Sequence, residues 1–211
     1  MADAFNGLTP RQRKEQRVAS LKNERTSWMA HWRELSEYQQ PRLGRFVVSD
    51  VNRGERRHNL IYDRTAMGAL RVLASGMMSG TTSPARPWFR LKLHDKALMT
   101  YGPVKLWLSQ VAELMRDVFA QSNTYQSLQQ AYAELGLFGT WADVVQADYD
   151  TVLRHSPLTI GEYMLGTNDK QIVDTLAREY QMTVGQMVKQ FGRDACSQPV
   201  RNSWDRGQLD Q

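Results

Sequence analysis

The sequence predicts an α+β fold: a long N-terminal helix, then a helix-rich region with a small, mostly antiparallel sheet. Three observations predict it. Apolar residues recur at helical spacing in several stretches up to residue 137. Beyond that point the pattern shortens into strand-like segments separated by polar or glycine-bearing turns. Prolines and glycines punctuate the joints between these stretches.

Residues 9–40 read as one helix. Thr9 is placed to cap it and Pro10 suits its first turn. Val18, Leu21, Arg25, Trp28, Trp32 and Leu35 follow a spacing near 3.6, a narrow stripe in a polar helix. Arg11, Arg13, Lys14, Arg17 and Lys22 crowd its first half, and Pro41 ends it. Residues 41–58 have no helical period. They read as a connector holding Arg53, Arg56 and Arg57, with a short strand at its Phe-Val-Val.

A second helix is expected over 59–79, with Tyr62, Ala66, Ala69, Leu70, Leu73 and Met77 on one face. Its many small residues invite close approach by another element. Gly80 is placed as its C-terminal cap. "GTTSPARPWF" (80–89) then forms a stiff corner. Thr81, Thr82 and Ser83 can bond the backbone nearby. Pro84 and Pro87 restrict the chain on both sides of Arg86. Trp88 opens WFRLKL (88–93), which alternates as a half-buried strand does.

Pro103 opens a helix over 103–120, with Leu106, Trp107, Val111, Leu114, Met115 and Val118 as its buried face. Ser122–Asn123 breaks it, and a further helix over 124–137 buries Tyr125, Leu128, Tyr132 and Leu135. Residues 136–150 lead from that helix into a strand and a polar "ADYD" turn. Strand-like segments follow at 151–155, 158–165 and 171–181, the last also rich in helix formers. A short helix over 182–192 is capped by Thr183 and stopped by Gly192.

Composition bounds the function. The 211 residues suffice for one large domain or two small ones. Hydrophobic residues make up 41% and charged residues 23%, which excludes wholesale disorder. No apolar run approaches the ~20 residues of a membrane span. The first residues lack the apolar core of a signal peptide. The one cysteine, Cys196, builds no internal disulfide and suits a reducing compartment. These features fit a soluble, cytosolically made protein. Residues 1–60 hold 12 Lys and Arg against 7 Asp and Glu, while residues 61–211 hold 15 of each. The basic excess therefore lies at the N-terminal end, as a solvated helix face or a contact with nucleic acid or acidic protein.

Catalytic chemistry is thin. His31, His58, His94 and His155 are scattered without metal-ligand spacing, and no phosphate-binding or nucleophile-elbow pattern occurs. Asp143, Asp148 and Asp150 could bind a cation as nuclease carboxylates do, or be turn acids on a hairpin. The residues call for no catalytic group, metal or cofactor.

The stretch "NLIYDRTAMGALRVLASGMMSGTTSPARPWFRL" (59–91) resembles the portal, or head-to-tail connector, proteins of short-tailed bacteriophages. Ile61, Tyr62, Asp63, Thr65 and Ala66 match the start of a family helix, and 73–80 and 82–89 match the corner that follows. "W..HWRELSEYQQPRLGRF" (28–46), "LFGTWADVV" (137–145), "PLTIGEYMLGTN" (157–168) and "MTVGQMVKQFG" (182–192) extend the likeness in family order. The resemblance implies a ring of identical subunits, normally about twelve, at one vertex of the phage head. DNA is packaged and ejected through the ring, which contacts capsid and tail adaptor proteins and, transiently, the terminase motor. It implies no catalysis, no cofactor and no membrane contact. It places the protein in the virion after synthesis in the bacterial cytoplasm. Family members are much longer, so residues 1–58 (basic helix and connector) and 59–211 (an α+β wing region) are expected to be the N-terminal part of such a chain. Arg86, Trp88, Trp28 and Trp32 are then candidates for subunit contact. Arg11, Arg13, Lys14, Arg17, Arg53, Arg56 and Arg57 are candidates for contact with DNA or a partner. The rival reading is a small module that clamps duplex DNA with its basic helix.

Overall fold

The computed structural model describes residues 9–41, 61 and 63–210. The expected 41–58 connector, with its Phe-Val-Val strand and Arg53, Arg56 and Arg57, lies outside them apart from Pro41; so does Tyr62. Among the described residues the chain is α+β, as the sequence predicts. Seven α-helices and a 3-10 turn accompany four strands: α1 (Pro10–Gln39), α2 (Thr65–Thr81), α3 (Lys96–Thr100), α4 (Gly102–Gln121), α5 (Thr124–Phe138), β1 (Ala142–Asp148), β2 (Val152–Leu158), β3 (Tyr163–Thr167), β4 (Val173–Arg178), α6 (Val184–Phe191) and α7 (Gln198–Asp205).

Helix α1 starts with a reciprocal capping box. The Thr9 hydroxyl accepts from the Gln12 amide, and the Gln12 side chain accepts from the Thr9 amide at 2.8 Å. The inward row is Val18, Leu21, Arg25, Met29, Trp32 and Leu35. Trp28 is displaced from the expected stripe to an exposed position, and Met29 takes its place. The second half of α1 covers a core of Phe138, Ala142, Leu158, Ile160 and Tyr163, onto which Trp32, Leu35, Leu137, Val144 and Leu165 pack.

Helix α2 begins six residues later than the pattern suggests and runs through Thr81, so Gly80 lies inside it and Thr82 is its cap. It packs on α5 through Leu70 and Ala74, not through Ala66 and Ala69, which are exposed. A Cβ at Gly136 of α5 would come 2.9 Å from the end of the half-exposed Leu73 side chain, which would have to shift. Gly68 and Gly76 face open space.

The expected faces of α4 and α5 are also rotated. Leu106, Trp107 and Leu114 are each about 60% exposed. Leu108 is buried instead, with Val111, Ala112, Met115 and Phe119 half-buried. In α5 the buried positions are Thr124, Ser127, Ala131, Glu134 and Phe138, while Leu135 is exposed. Both helices carry apolar residues on more than one side, so periodicity alone could not choose the face. Gly139, with φ +74°, closes α5 in the left-handed conformation that glycine tolerates.

Residues 88–93 join no sheet, contrary to the alternation. Trp88 and Phe89 both pack against Phe119 of α4, with centroids 6.2 and 5.8 Å apart. Aromatic packing on a helix fixes this segment in place of a strand ladder. The single small sheet resolves into two two-stranded antiparallel ones, β1–β2 and β3–β4. In the first, Ala142 faces Leu158 and Asp148 faces Val152; in the second, Tyr163 faces Arg178. The ambiguous 171–181 stretch is strand, and 182–192 is the short helix expected, with a Thr183–Gln186 capping box. Helices α3 and α7 were not legible in the sequence.

The β1–β2 turn closes on Val152, whose φ of +68° is the left-handed region. A β-branched side chain is strained there, by about 1–2 kcal/mol. Val152 is 62% exposed, so little packing is lost by removing it. Val152→Gly is expected to stabilise the protein by about 1 kcal/mol, read as a rise in denaturation midpoint.

Candidate functional site

The 80–89 corner is built by α5. Tyr125 and Tyr132 lie seven residues apart, about 10 Å along the helix axis. The Tyr132 hydroxyl bonds the Thr81 and Thr82 hydroxyls at 2.8 and 2.9 Å. The Tyr125 hydroxyl accepts from the Trp88 indole at 3.4 Å. Two phenols thus pin the start and the end of the corner to one helix. The sequence pattern suggested only their apolar bodies; the sign of this role is a pair of phenol hydroxyls two turns apart.

Arg86 closes the corner on itself. Its Nη2 donates to the carbonyls of Ser79 (2.8 Å) and Gly80 (3.0 Å). These lie in the last turn of α2, where carbonyls lack helical partners and the helix dipole favours a cation. Of the four residues expected at subunit contacts, three have roles within the chain. Arg86 braces α2, Trp88 joins the Phe89–Phe119 cluster, and Trp32 packs on the core. Trp28, 57% exposed, stacks on Trp32 with centroids 6.0 Å apart.

The basic row of α1 divides. Arg17 folds over β3, where a Cβ at Gly166 would come 2.8 Å from its Nη2. Lys22 pairs with Glu179 at 2.7 Å. Arg25 donates to the carbonyls of Gly161 and Tyr163. Towards the helix start, Arg11 pairs with Glu15 at 2.7 Å, which raises its pKa, while Arg13 and Lys14 sit on the exposed surface. The first turn of α1 holds no acidic residue, so these cations stand at the end where the macrodipole disfavours them.

Asp143, Asp148 and Asp150 do not converge. Asp143 and Asp148 are five residues apart on one strand and point to opposite faces. Asp143 bonds the His155 Nδ1 across the hairpin. Asp148 accepts from the Thr151 hydroxyl and amide, which holds its carboxyl below the usual range. Among the described residues no three metal-ligating side chains cluster. The Asp143–His155 pair was missed in the sequence, because it needs the register that sets Asp143 against Pro157, two residues from His155. Asn123 fixes the same strand by a two-way bond between its side-chain amide and the His155 backbone, both at 2.8 Å.

The sequence matches the family described as bacteriophage head to tail connecting protein over residues 11–211. The chain is 53% identical over 195 residues to a probable portal protein of Bordetella phage BPP-1, covering 92% of this chain and 35% of that protein. It is 50% identical over 199 residues to the portal protein of Salmonella phage epsilon15, covering 94% of this chain and 36% of the relative. It thus spans about a third of the length of these curated relatives. With the match running through the basic helix, the braced corner and both hairpins, the chain belongs to the family of bacteriophage head to tail connecting proteins.

Proposed function

We propose that this chain is the N-terminal, peripheral part of a portal subunit that forms a ring of about twelve copies. The ring joins head to tail in the virion and passes DNA inward at packaging and outward at ejection. The observation that carries the reading is 50–53% identity, over more than nine-tenths of this chain, to proteins named as portals. Its partners are further copies of itself, capsid and tail adaptor proteins, and transiently the terminase motor. Its role is structural and non-enzymatic, without a cofactor. Among the described residues no helix is long and apolar enough to cross a membrane. Large apolar side chains left in solvent, Trp107 and Leu114 on α4 and Trp28 on α1, support an assembling chain.

The test is native mass spectrometry with imaging of the full-length protein. Rings with a central hole support the reading; a monomer that binds duplex DNA replaces it with the DNA-clamping module. The engagement of Arg17, Lys22 and Arg25 with β3 and the segments flanking it favours protein over DNA as the partner of α1. The exposed basic start of α1, with Arg11, Arg13 and Lys14, then meets an acidic protein surface.

Within the ring, Arg86 holds the corner in one shape. Arg86→Ala is expected to cost about 1 kcal/mol of stability by removing two exposed hydrogen bonds. It should also lower ring yield several-fold, because a heterologous contact closes only at the right angle. Arg86→Lys should recover part of the yield. Rings formed by Arg86→Ala at the parent yield would remove the corner from assembly.

A further inference from the structure

We propose that the tip of the β1–β2 hairpin of one copy docks into the groove between α2 and α5 of a neighbouring copy. The contact rests on the ring reading above and names one interface within it.

The groove, about 1000 Å³, lies between α2, α5 and the end of α1. Leu70 and Met67 supply apolar floor, and the exposed Arg64, Arg71 and Gln126 stand at its rim. Neither arginine pairs with a carboxylate among the described residues. The two stand seven residues apart, so they flank about 10 Å of the groove's length. A concavity with an apolar floor, amide donors and two unpaired guanidiniums suits an aromatic side chain flanked by carboxylates.

The hairpin tip has that chemistry. Tyr149 is fully exposed, with Asp148 and Asp150 on either side. Val145 and Val152 are also more than half exposed, so the distal hairpin stands clear of the rest of the chain. Asp148 is held ionised by Thr151, and Asp150 meets no cation among the described residues. None of the tip residues lines the groove of its own chain. The two carboxylates lie within about 7 Å of each other along the backbone, a span that the arginine side chains can reach from both sides. Tyrosine is a favoured interface anchor, because it brings a large contact area with few rotatable bonds.

The occupant is a second copy because the acidic, aromatic tip and the basic rim of the groove complement each other within one sequence. Tip and groove are different patches, so the contact is heterologous and propagates around a ring or along a filament.

The test uses the full-length protein. Asp150→Arg and Arg71→Asp are each expected to lower ring yield by about tenfold in native mass spectrometry, and the two together to restore it. Independently, Tyr149→Cys combined with Gln130→Cys should give, on mild oxidation, a ladder of covalent oligomers in a denaturing gel. Either cysteine alone should give none. The ladder decides the matter if a charge reversal fails to fold. Rings that assemble without a ladder and without charge rescue overturn this contact, leave the ring reading standing, and assign the groove to a different protein or a later segment. A parent protein that never forms a ring overturns both.

Discussion

At pH 8, Glu134→Gln is expected to be more stable than the parent by about 3 kcal/mol, and at pH 4 about equal to it. Glu134 lies on the inward face of α5 and is 0% exposed. Its carboxyl accepts from the Thr159 hydroxyl at 2.9 Å and the Ile160 amide at 3.3 Å. These bonds favour the charged form, but burial outweighs them and pushes the pKa up to about 7, with Glu162 acting in the same direction. In the unfolded chain the value returns to 4.5. The folded state therefore binds the proton more tightly. Its stabilisation is complete below pH 4.5 and is lost as the pH rises through about 7. Glutamine keeps an acceptor for the turn between β2 and β3 without a charge to bury. Denaturant unfolding from pH 4 to 8 reads the difference between parent and variant, which cancels the other titrating groups. Parallel curves for the two proteins across that range would show that Glu134 is solvated in the fold.

Elements were legible where local chemistry fixed them. The caps Thr9 and Thr183 placed the starts of α1 and α6, because a cap is decided within four residues; the structure adds Gln12 and Gln186 as their reciprocal partners. Ser122–Asn123 marked the α4–α5 joint for the same reason. Faces were harder. Trp107 and Leu114 look like core in a helical projection and stand in solvent, while Glu134 and Ser127 look like surface and are buried. A helix with apolar residues on several sides takes its orientation from its neighbours, which one sequence does not supply.

The corner shows the same division. Its stiffness was legible from Pro84 and Pro87, and Arg86 was legible as the side chain it presents. Its bracing was not, because Tyr125 and Tyr132 come from a helix 37 and 50 residues downstream of their partners. Likewise, the basic excess of α1 was plain in composition. That Arg17, Lys22 and Arg25 engage their own chain is decided by β3 and the segments flanking it, over separations of more than 130 residues for Lys22 and Arg25.

Arg25 carries the second large effect. It occupies a position in the α1 stripe where an apolar residue is expected, yet its Nη1 donates to the carbonyls of Gly161 at 2.9 Å and Tyr163 at 3.2 Å. Burial pushes its pKa down and the Glu179 charge pushes it back, so the guanidinium sits between desolvation and a nearby carboxylate. Arg25→Met keeps much of the side-chain bulk but leaves two carbonyls without their donor. The expected loss is about 3 kcal/mol, the scale of two charge-assisted bonds at a half-buried site. Arg25→Lys, with one compact ammonium in place of a planar fork, should fall in between. The loss should be local as well as global. Helix α1 rests on the rest of the chain along a narrow row in which Leu21 is the one fully buried apolar residue, so amide hydrogen exchange should quicken in its first half before the core around Leu158 opens. Unchanged protection in α1 would mean that Leu21 and Trp32 hold the helix unaided. Faster exchange would make Arg25 the residue that orients the basic end of α1, where Arg11, Arg13 and Lys14 stand on the exposed surface.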